Sequence, residues 1–598
     1  MRSLFRTKKI HDLLVDSHAG DDGQHPTGLK RVLTARDLTL FGIAAIIGAG
    51  SFSSLGGAVF SGGPGVVILF ILCGIACAFT AFCYAEFASR IPVAGSAYTY
   101  AYASFGELFA WVIGWALLME YSIGNIYVAF SWSDYFTSLM EKLNIHVPDY
   151  ISCSYREAHK AFAAFSEMTT ADQAKFMGSK SSAELIHAWN QAPVVGGLRL
   201  IFDLPAIVIN MLITYLVYRG IKESRNFSNA MVILKLAVVI MVIAVGAVYI
   251  NPDNWVPMAA DGTKSFMPNG FSGVMAAVSG VFFAYIGFDS LIVLAEESRY
   301  PQKYLPKGSI WSLVICTFVY ILLALVLTGT VMYSKFANVG DPLAFIFEKE
   351  NLNVGWMQLL VAVCAVIAMT SVLLVFQMGQ PRIWMSMSRD GLLPPVFEKI
   401  HPKYKTPSFS TIVTGLVVGI PILFTDKTFV LDFTSIATLF AFVLVCGGVL
   451  LLPRKQKTPG RFNMPFINSK LIFPLIVLGA IVAISILFPE YFPGLFHFDF
   501  SANEEYTKGA ASFLDVATPQ ISLIIFWGLC IILSVLAFIK QFSLIPLMGL
   551  TTCLYLLTGM TKTNWAWFLS WLALGLIIYF LYGYRKSKLA PHNIKTGS

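Results

Sequence analysis

The sequence predicts a polytopic all-α membrane protein of about fourteen spans, two of them interrupted near mid-bilayer. Three observations carry that reading. The 598 residues are 56% hydrophobic and only 13% charged, against about 25% charged in soluble domains. Apolar runs long enough to cross a bilayer recur along the chain. Two of those runs, 38–65 and 271–295, place glycines or a carboxylate where a spanning helix should be most regular.

The first run reads L-T-L-F-G-I-A-A-I-I-G-A-G-S-F-S-S-L-G-G-A-V-F-S-G-G-P-G, with Gly48, Gly50, Gly56 and Gly57 in its interior. Glycine weakens a helix by about 1 kcal/mol relative to alanine. Hydrocarbon does not satisfy freed backbone groups, so open backbone survives at that depth only when buried or lining a cavity. Broken midplane helices are how many secondary transporters hold an anionic substrate group. The same small residues also serve close helix–helix packing.

The spans that follow are expected at 66–88, 108–130, 200–218 and 230–250, completing a first group of five in residues 38–250. A second group covers 271–295, 309–331, 354–378, 409–424 and 429–452, or residues 271–452 overall. Four more, at 471–488, 521–539, 544–560 and 565–582, form a carboxy-terminal set over 471–582. An even count puts both termini on one side, and the basic residues assign that side to the cytoplasm. Arg382, Arg389, Lys399, Lys403 and Lys405, then Arg454, Lys455, Lys457 and Arg461, fall in short loops on the amino-terminal side, as the positive-inside rule requires. The net charge of +8 therefore follows topology, and nucleic acid is not an expected partner.

Residues 1–37 lack the continuous apolar core of a cleavable signal and read as a cytoplasmic segment rich in Arg and Lys. Leu4, Phe5, Ile10, Leu13 and Leu14, interleaved with those bases, suit a short surface helix or a disordered tail. Residues 137–199 are polar, with amphipathic patterns around 156–168 and 183–191, and are expected to form a small external cap. Residues 489–518 form a second external loop, and 583–598 a cytoplasmic tail. Each of these loops also reads as a solvated connection with no direct role.

Eight of the nine cysteines fall within predicted spans and the ninth, Cys153, in the long loop. Neither a disulfide framework nor a metal-ligand spacing emerges. No cofactor or metal is expected. H-E-x-x-H and Walker A sequences are absent, so an enzyme is not indicated.

The second interrupted run, F-S-G-V-M-A-A-V-S-G-V-F-F-A-Y-I-G-F-D-S, contains Gly287 and Asp289. It is the sixth span, so the two interruptions occupy matching positions in two groups of five. Paired interruptions of this kind point to a transporter site. Three charges also stand inside spans: Glu120, Lys235 and Asp289. Each costs about 2.5–3.5 kcal/mol to insert without a partner. Burial in general draws acids and bases toward physiological pH, so this trio could exchange a proton or form a static ion network. Glu86, Glu107, Asp203 and Asp432 lie near span ends and are expected to reach the interface.

Several stretches resemble the cationic amino acid transporter family of the amino acid–polyamine–organocation superfamily. They are G-I-A-A-I-I-G-A-G-S-F from Gly42, Y-A-E-F-A-S-R-I-P-V-A-G-S-A-Y-T-Y from Tyr84, and F-F-A-Y-I-G-F-D-S from Phe282, followed by A-E-E-S-R-Y-P from Ala295. R-I-W-M-S-M-S-R-D-G-L-L-P from Arg382, T-S-I-A-T-L-F-A-F from Thr434 and W-L-A-L-G-L-I-I-Y-F-L-Y-G from Trp571 complete the set. The resemblance spans nearly the whole chain apart from the two external loops.

That resemblance implies the leucine-transporter-like fold: a 5+5 inverted repeat with additional C-terminal helices. It implies a plasma-membrane permease (a bacterial inner-membrane protein) importing L-amino acids, with proton symport the leading mechanism. Exchange, carriage of arginine or lysine, and amino acid sensing stand as alternatives. The substrate carboxylate would dock on amides around Gly48, Ala49, Gly50 and Ser51. The ammonium would meet carbonyls near Ile46, Phe283, Ala284 and Ile286. Both placements agree with helix-end electrostatics. Lys235 matches a fifth-helix lysine that, in proton-coupled relatives, stands where others bind sodium, and Glu120 and Asp289 match acidic positions associated with it. A small single-helix membrane subunit is compatible with the sequence. The commoner G-T-G-I-F is here Gly48-Ala49-Gly50-Ser51-Phe52, which moves a side-chain hydroxyl from the second position to the fourth.

Overall fold

The computed structural model describes residues 6–7, 33–90, 96–178, 180–220, 225–258, 262–289, 291, 298–337, 339–404, 406–451, 462–498 and 513–590. The surface helix suggested around 4–14, most of the amino-terminal basic residues, and residues 295–297 of the motif after Asp289 lie outside those residues.

The first span starts three residues earlier than expected, as α1 (Ala35–Ile46). The cause is a capping box: the Thr34 hydroxyl accepts from the Asp37 amide, and the Asp37 carboxylate accepts from the Thr34 amide at 2.9 Å. After Ile46 the chain leaves helical geometry at Ile47. It passes Gly48 and Ala49, makes a wide turn over Gly50–Ser54, and resumes as α2 (Leu55–Gly62). Two further helices follow, α3 (Val66–Arg90) and α4 (Ser96–Ser104).

The centre of the molecule is α5 (Glu107–Lys142), in which almost every side chain from Glu107 to Tyr135 is buried. It runs twelve residues beyond the expected end of that span and six into the expected 137–199 loop, which therefore begins later than the sequence suggests. Its other end belongs to the face where the described termini meet, which places the loop on the opposite face. There, α6 (Tyr155–Glu167), α7 (Thr170–Met177), α8 (Lys180–Gln191) and a hairpin of β1 (Val194–Val195) and β2 (Leu198–Arg199) form a cap. Ala158, Ala188, Ala192 and Ile201 make its small core beneath Trp189.

The chain re-enters as α9 (Leu204–Arg219), capped by Asp203, and α10 (Arg225–Ala247). The second interrupted span is α11 (Gly270–Ala276) and α12 (Val278–Phe283), followed by tight turns through Ile286 and a positive φ of 114° at Gly287. Next come α13 (Pro301–Thr330), α14 (Gly355–Arg389), α15 (Ser408–Ile422) and α16 (Lys427–Leu451).

Four more helices close the chain: α17 (Ser469–Leu487), α18 (Phe513–Lys540), α19 (Leu544–Leu557) and α20 (Lys562–Ile578). They play two different parts. α17 buries only Ser469, Phe473 and Val477, and its remaining apolar surface suits lipid contact. α20 instead locks onto α5. The Trp115 indole donates to Trp571 O at 2.8 Å, Trp571 returns the bond to Trp115 O at 3.1 Å, and Trp111 donates to Gly575 O at 2.9 Å. Gly575 lets the helices close, since a Cβ there would run into the Trp115 ring.

Three of the four acids assigned to span ends are buried instead. Glu107 is fully buried and accepts from Tyr102 Oη at 3.1 Å, Tyr579 Oη at 3.0 Å and Ser587 Oγ at 2.5 Å, with Arg6 4.0 Å away. Asp203 accepts from Ser133 Oγ at 2.6 Å and the Ala206 amide at 3.0 Å. Glu86 accepts from the Met464 amide at 2.9 Å. The described part of the expected tail is therefore packed: Lys588 N donates to Asp390 O, and Ser587 and Ala590 are buried.

Candidate functional site

Both interruptions leave carbonyls without helical partners, and the fold brings them together. The Tyr320 hydroxyl, on α13, lies 2.9 Å from Ile46 O and 2.9 Å from Ala284 O. A hydroxyl has one proton to donate, so one of the two carbonyls is served at a time. The segments also touch directly. Ala284 backbone occupies the space a Gly50 Cβ would need, and Ala45 O lies 2.6 Å from where a Gly287 Cβ would sit. One turn further on, Ser54 Oγ lies 2.7 Å from Gly50 O and 2.8 Å from Gly280 O.

The expected carboxylate-binding amides sit just past the first interruption, behind a turn closed on itself. Ser51 donates to Gly48 O through its amide at 3.1 Å and its hydroxyl at 3.0 Å. A docking carboxylate would take these donors in exchange for an internal bond. Tyr127 on α5 meets Phe283 edge to face at 4.5 Å, and Val372 of α14 packs against Gly48. Ile46, Ala49, Ser51, Phe283, Ala284 and Ile286 are each at most 5% exposed, so the region is closed to solvent.

Of the three in-span charges, Glu120 and Asp289 are brought within electrostatic reach of each other, and Glu120 shares a hydrogen bond with Thr438. Tyr84 and Tyr121 flank the same two acids. Among the described residues, Glu120 Oε2 has no hydrogen-bond partner. Lys235 lies on α10, which packs against both α1 and α14. Its ammonium is buried and donates to Ser371 Oγ at 2.7 Å.

Sequence reasoning missed Tyr320 and Tyr127. A tyrosine within an apolar span is a usable signal, because a buried hydroxyl needs a partner. What it does not reveal is which carbonyls it reaches. No group of three or more metal-ligating side chains forms among the described residues.

Paired discontinuous helices meeting at freed carbonyls, with ionisable groups buried nearby, define a multi-pass membrane carrier rather than an enzyme. The comparisons then give the family. The profile described as "Amino acid permease" matches residues 33–499, and that described as "C-terminus of AA_permease" matches 543–587. The chain belongs to the amino acid permease family.

It is 41% identical over 465 residues to "Branched-chain amino acid permease BcaP" of Bacillus subtilis (strain 168), covering 77% of this chain and 88% of that one. It is 39% identical over 483 residues to the "Methylthioribose transporter" of the same organism, covering 80% and 91%. "Cationic amino acid transporter 2, vacuolar" of Arabidopsis thaliana is 29% identical over 650 residues, covering 99% and 94%. The resemblance to cationic amino acid transporters is thereby borne out.

Proposed function

We propose that the chain is a proton-coupled symporter that imports small neutral L-amino acids by alternating access. In this reading it has fourteen spans, ten of them as two inverted groups of five, and both termini in the cytoplasm. The observation that carries it is the Tyr320 hydroxyl shared between Ile46 O and Ala284 O. Two acceptors held by one donor suit an ammonium, which brings three N–H donors. The amides of Ala49, Gly50 and Ser51 would receive the carboxylate on the opposite side of the interruption.

Lys235 supports the coupling. Its ammonium bonds Ser371 on α14, and its helix, α10, also packs against α1, so gain or loss of a proton there would alter what holds α10 against α14. An ammonium there also repels a bound sodium ion. Glu120, beside Asp289, is the second candidate in the proton path. The neutral substrate class rests on the apolar surroundings (Tyr127, Phe283, Ile286 and Val372) and on the name of the Bacillus branched-chain permease.

The test is uptake into proteoliposomes of a panel of neutral and cationic amino acids together with methylthioribose, with an imposed pH gradient and no sodium. Accumulation of neutral amino acids that collapses with a protonophore is expected. Lys235→Met should lose at least tenfold of the gradient-driven accumulation while retaining exchange. Undiminished accumulation in that variant removes Lys235 from the coupling. Uptake that requires internal amino acid points to an exchanger, and accumulation of arginine or lysine alone moves the protein to the cationic class.

A further inference from the structure

We propose that the cap between α5 and α9 is a latch on the outer mouth of the carrier, and that Arg156 and Lys160 hold it shut by clasping Asp426. This rests on the transport reading and its orientation. The cap would have no such role if it were a solvated connection, with its charges turned to water.

Three side chains of α6, within one and a half turns, instead converge on two consecutive residues at the start of α16. Arg156 Nε lies 3.0 Å, and Lys160 Nζ 2.9 Å, from the same Asp426 Oδ2. The Lys427 amide donates to Glu157 Oε1 at 3.2 Å. Arg156 also lies 5.2 Å over the Phe429 ring. Asp426 is 1% exposed, whereas its two cationic partners are about half exposed. The carboxylate is thus buried beneath a lid that supplies its counter-charges. Its other oxygen caps α16 through the Phe429 amide at 2.9 Å.

What the corner covers gives the clasp its meaning. The Lys427 ammonium pairs with Asp134 near the end of α5 and donates to Gly340 O at 3.4 Å. Gly340 lies so close that a Cβ would come within 2.6 Å of the Asp134 carboxylate. Gly340 O also accepts from Ser53 Oγ at 2.9 Å, inside the turn that follows the first interruption. Lys427 Nζ stands 5.7 Å from the centre of the Tyr127 ring, which in turn packs on Phe283 at the second interruption. Outward opening must part α16, α5, the Gly340 loop and the Gly50–Ser54 turn. Lys427 binds the first three directly, and Gly340 ties in the fourth. Through Asp426, the cap decides whether Lys427 is free to leave.

Ser131 reports on this. It is fully buried on α5, less than one turn before Asp134. In a Cys153→Ser background, Ser131→Cys is labelled in sealed vesicles of known sidedness with a membrane-impermeant maleimide. Arg156→Gln with Lys160→Gln should raise the labelling rate from the outer side at least threefold, approaching the rate with Lys427→Gln. Both replaced side chains are partly exposed, and folding of the variants is checked by size-exclusion profile. An unchanged rate in the double variant overturns the latch, whether or not Lys427→Gln opens the mouth. Labelling from the cytoplasmic side alone overturns it too. Amino acid uptake by the unaltered protein separates the two proposals: a labelling response without uptake of neutral amino acids leaves the cap-controlled mouth standing and removes only the proposed substrate and its proton coupling.

Discussion

The interruption after Ile46 and the one after Phe283 serve one meeting point, yet their glycines do different work. No residue from Ile47 to Ser54 has a positive φ, so the first interruption does not need glycine for its backbone conformation. Gly48 and Gly50 are there for contact: Gly48 accommodates Val372, and Gly50 lies against the backbone of Ala284. The second depends on a single glycine for both purposes. Gly287 has φ +114° and faces Ala45 O. Breaking the helix and packing it closely, two alternative readings of the first run, are therefore both true of it. A cluster of glycines marks where chains approach, and the lone Gly287 marks where the backbone reverses.

Substitutions can press on that difference. The largest effect is expected for Gly287→Ala, which combines backbone strain of about 1–3 kcal/mol with a clash against a main-chain carbonyl. At least a hundredfold loss of uptake should accompany lower thermal stability, and near-normal uptake would show that the positive φ is dispensable. Gly50→Ala comes next, with more than tenfold loss in the same assay. Because the obstruction is the Ala284 main chain, Ala284→Gly should not restore it.

Tyr320→Phe should lower stability by about 1–3 kcal/mol, the usual range for stranding a buried acceptor, as read by thermal unfolding in detergent. A transported amino acid should recover more of that loss than it adds to the unaltered protein, since its ammonium supplies the missing donors. Equal stabilisation of both would separate Tyr320 from the substrate. The mildest change is Gly48→Ala. Its obstacle is a side-chain methyl, with Val372 Cγ2 2.8 Å from the new Cβ position. A severalfold fall in uptake should return to normal with Val372→Ala added.

The parts of the fold legible in the sequence are those written locally. The apolar runs and the first glycine cluster were readable, as were the amphipathic stretches that became α6 and α8. The true start of α1 is also written locally, because Thr34-Ala35-Arg36-Asp37 carries the spacing of a capping box. The harder features join residues far apart in the chain. Glu107 reads as an ordinary span-end acid until Tyr579 and Ser587 arrive to bury it. The cap reads as a loop until Asp426, 266 residues beyond Lys160, is seen beneath it. At the site, the backbone positions were nameable from the first motif, but the hydroxyl joining them sits on a third helix.

The docking of α20 on α5 has a consequence for biosynthesis. Trp115 and Trp571 are separated by 456 residues. At ordinary synthesis rates of about 5–20 residues per second, α5 waits roughly 20 to 90 s for its partner. During that interval the indole donors of Trp111 and Trp115 lack their acceptors, and the carboxylate of Glu107, though near Tyr102, lacks its bonds from Tyr579 and Ser587. Unsatisfied polar groups of this kind are costly in a bilayer. A nascent or truncated chain that lacks residues 571–587 thus exposes polar groups that the mature protein hides, giving membrane quality control a local feature by which to tell the two apart.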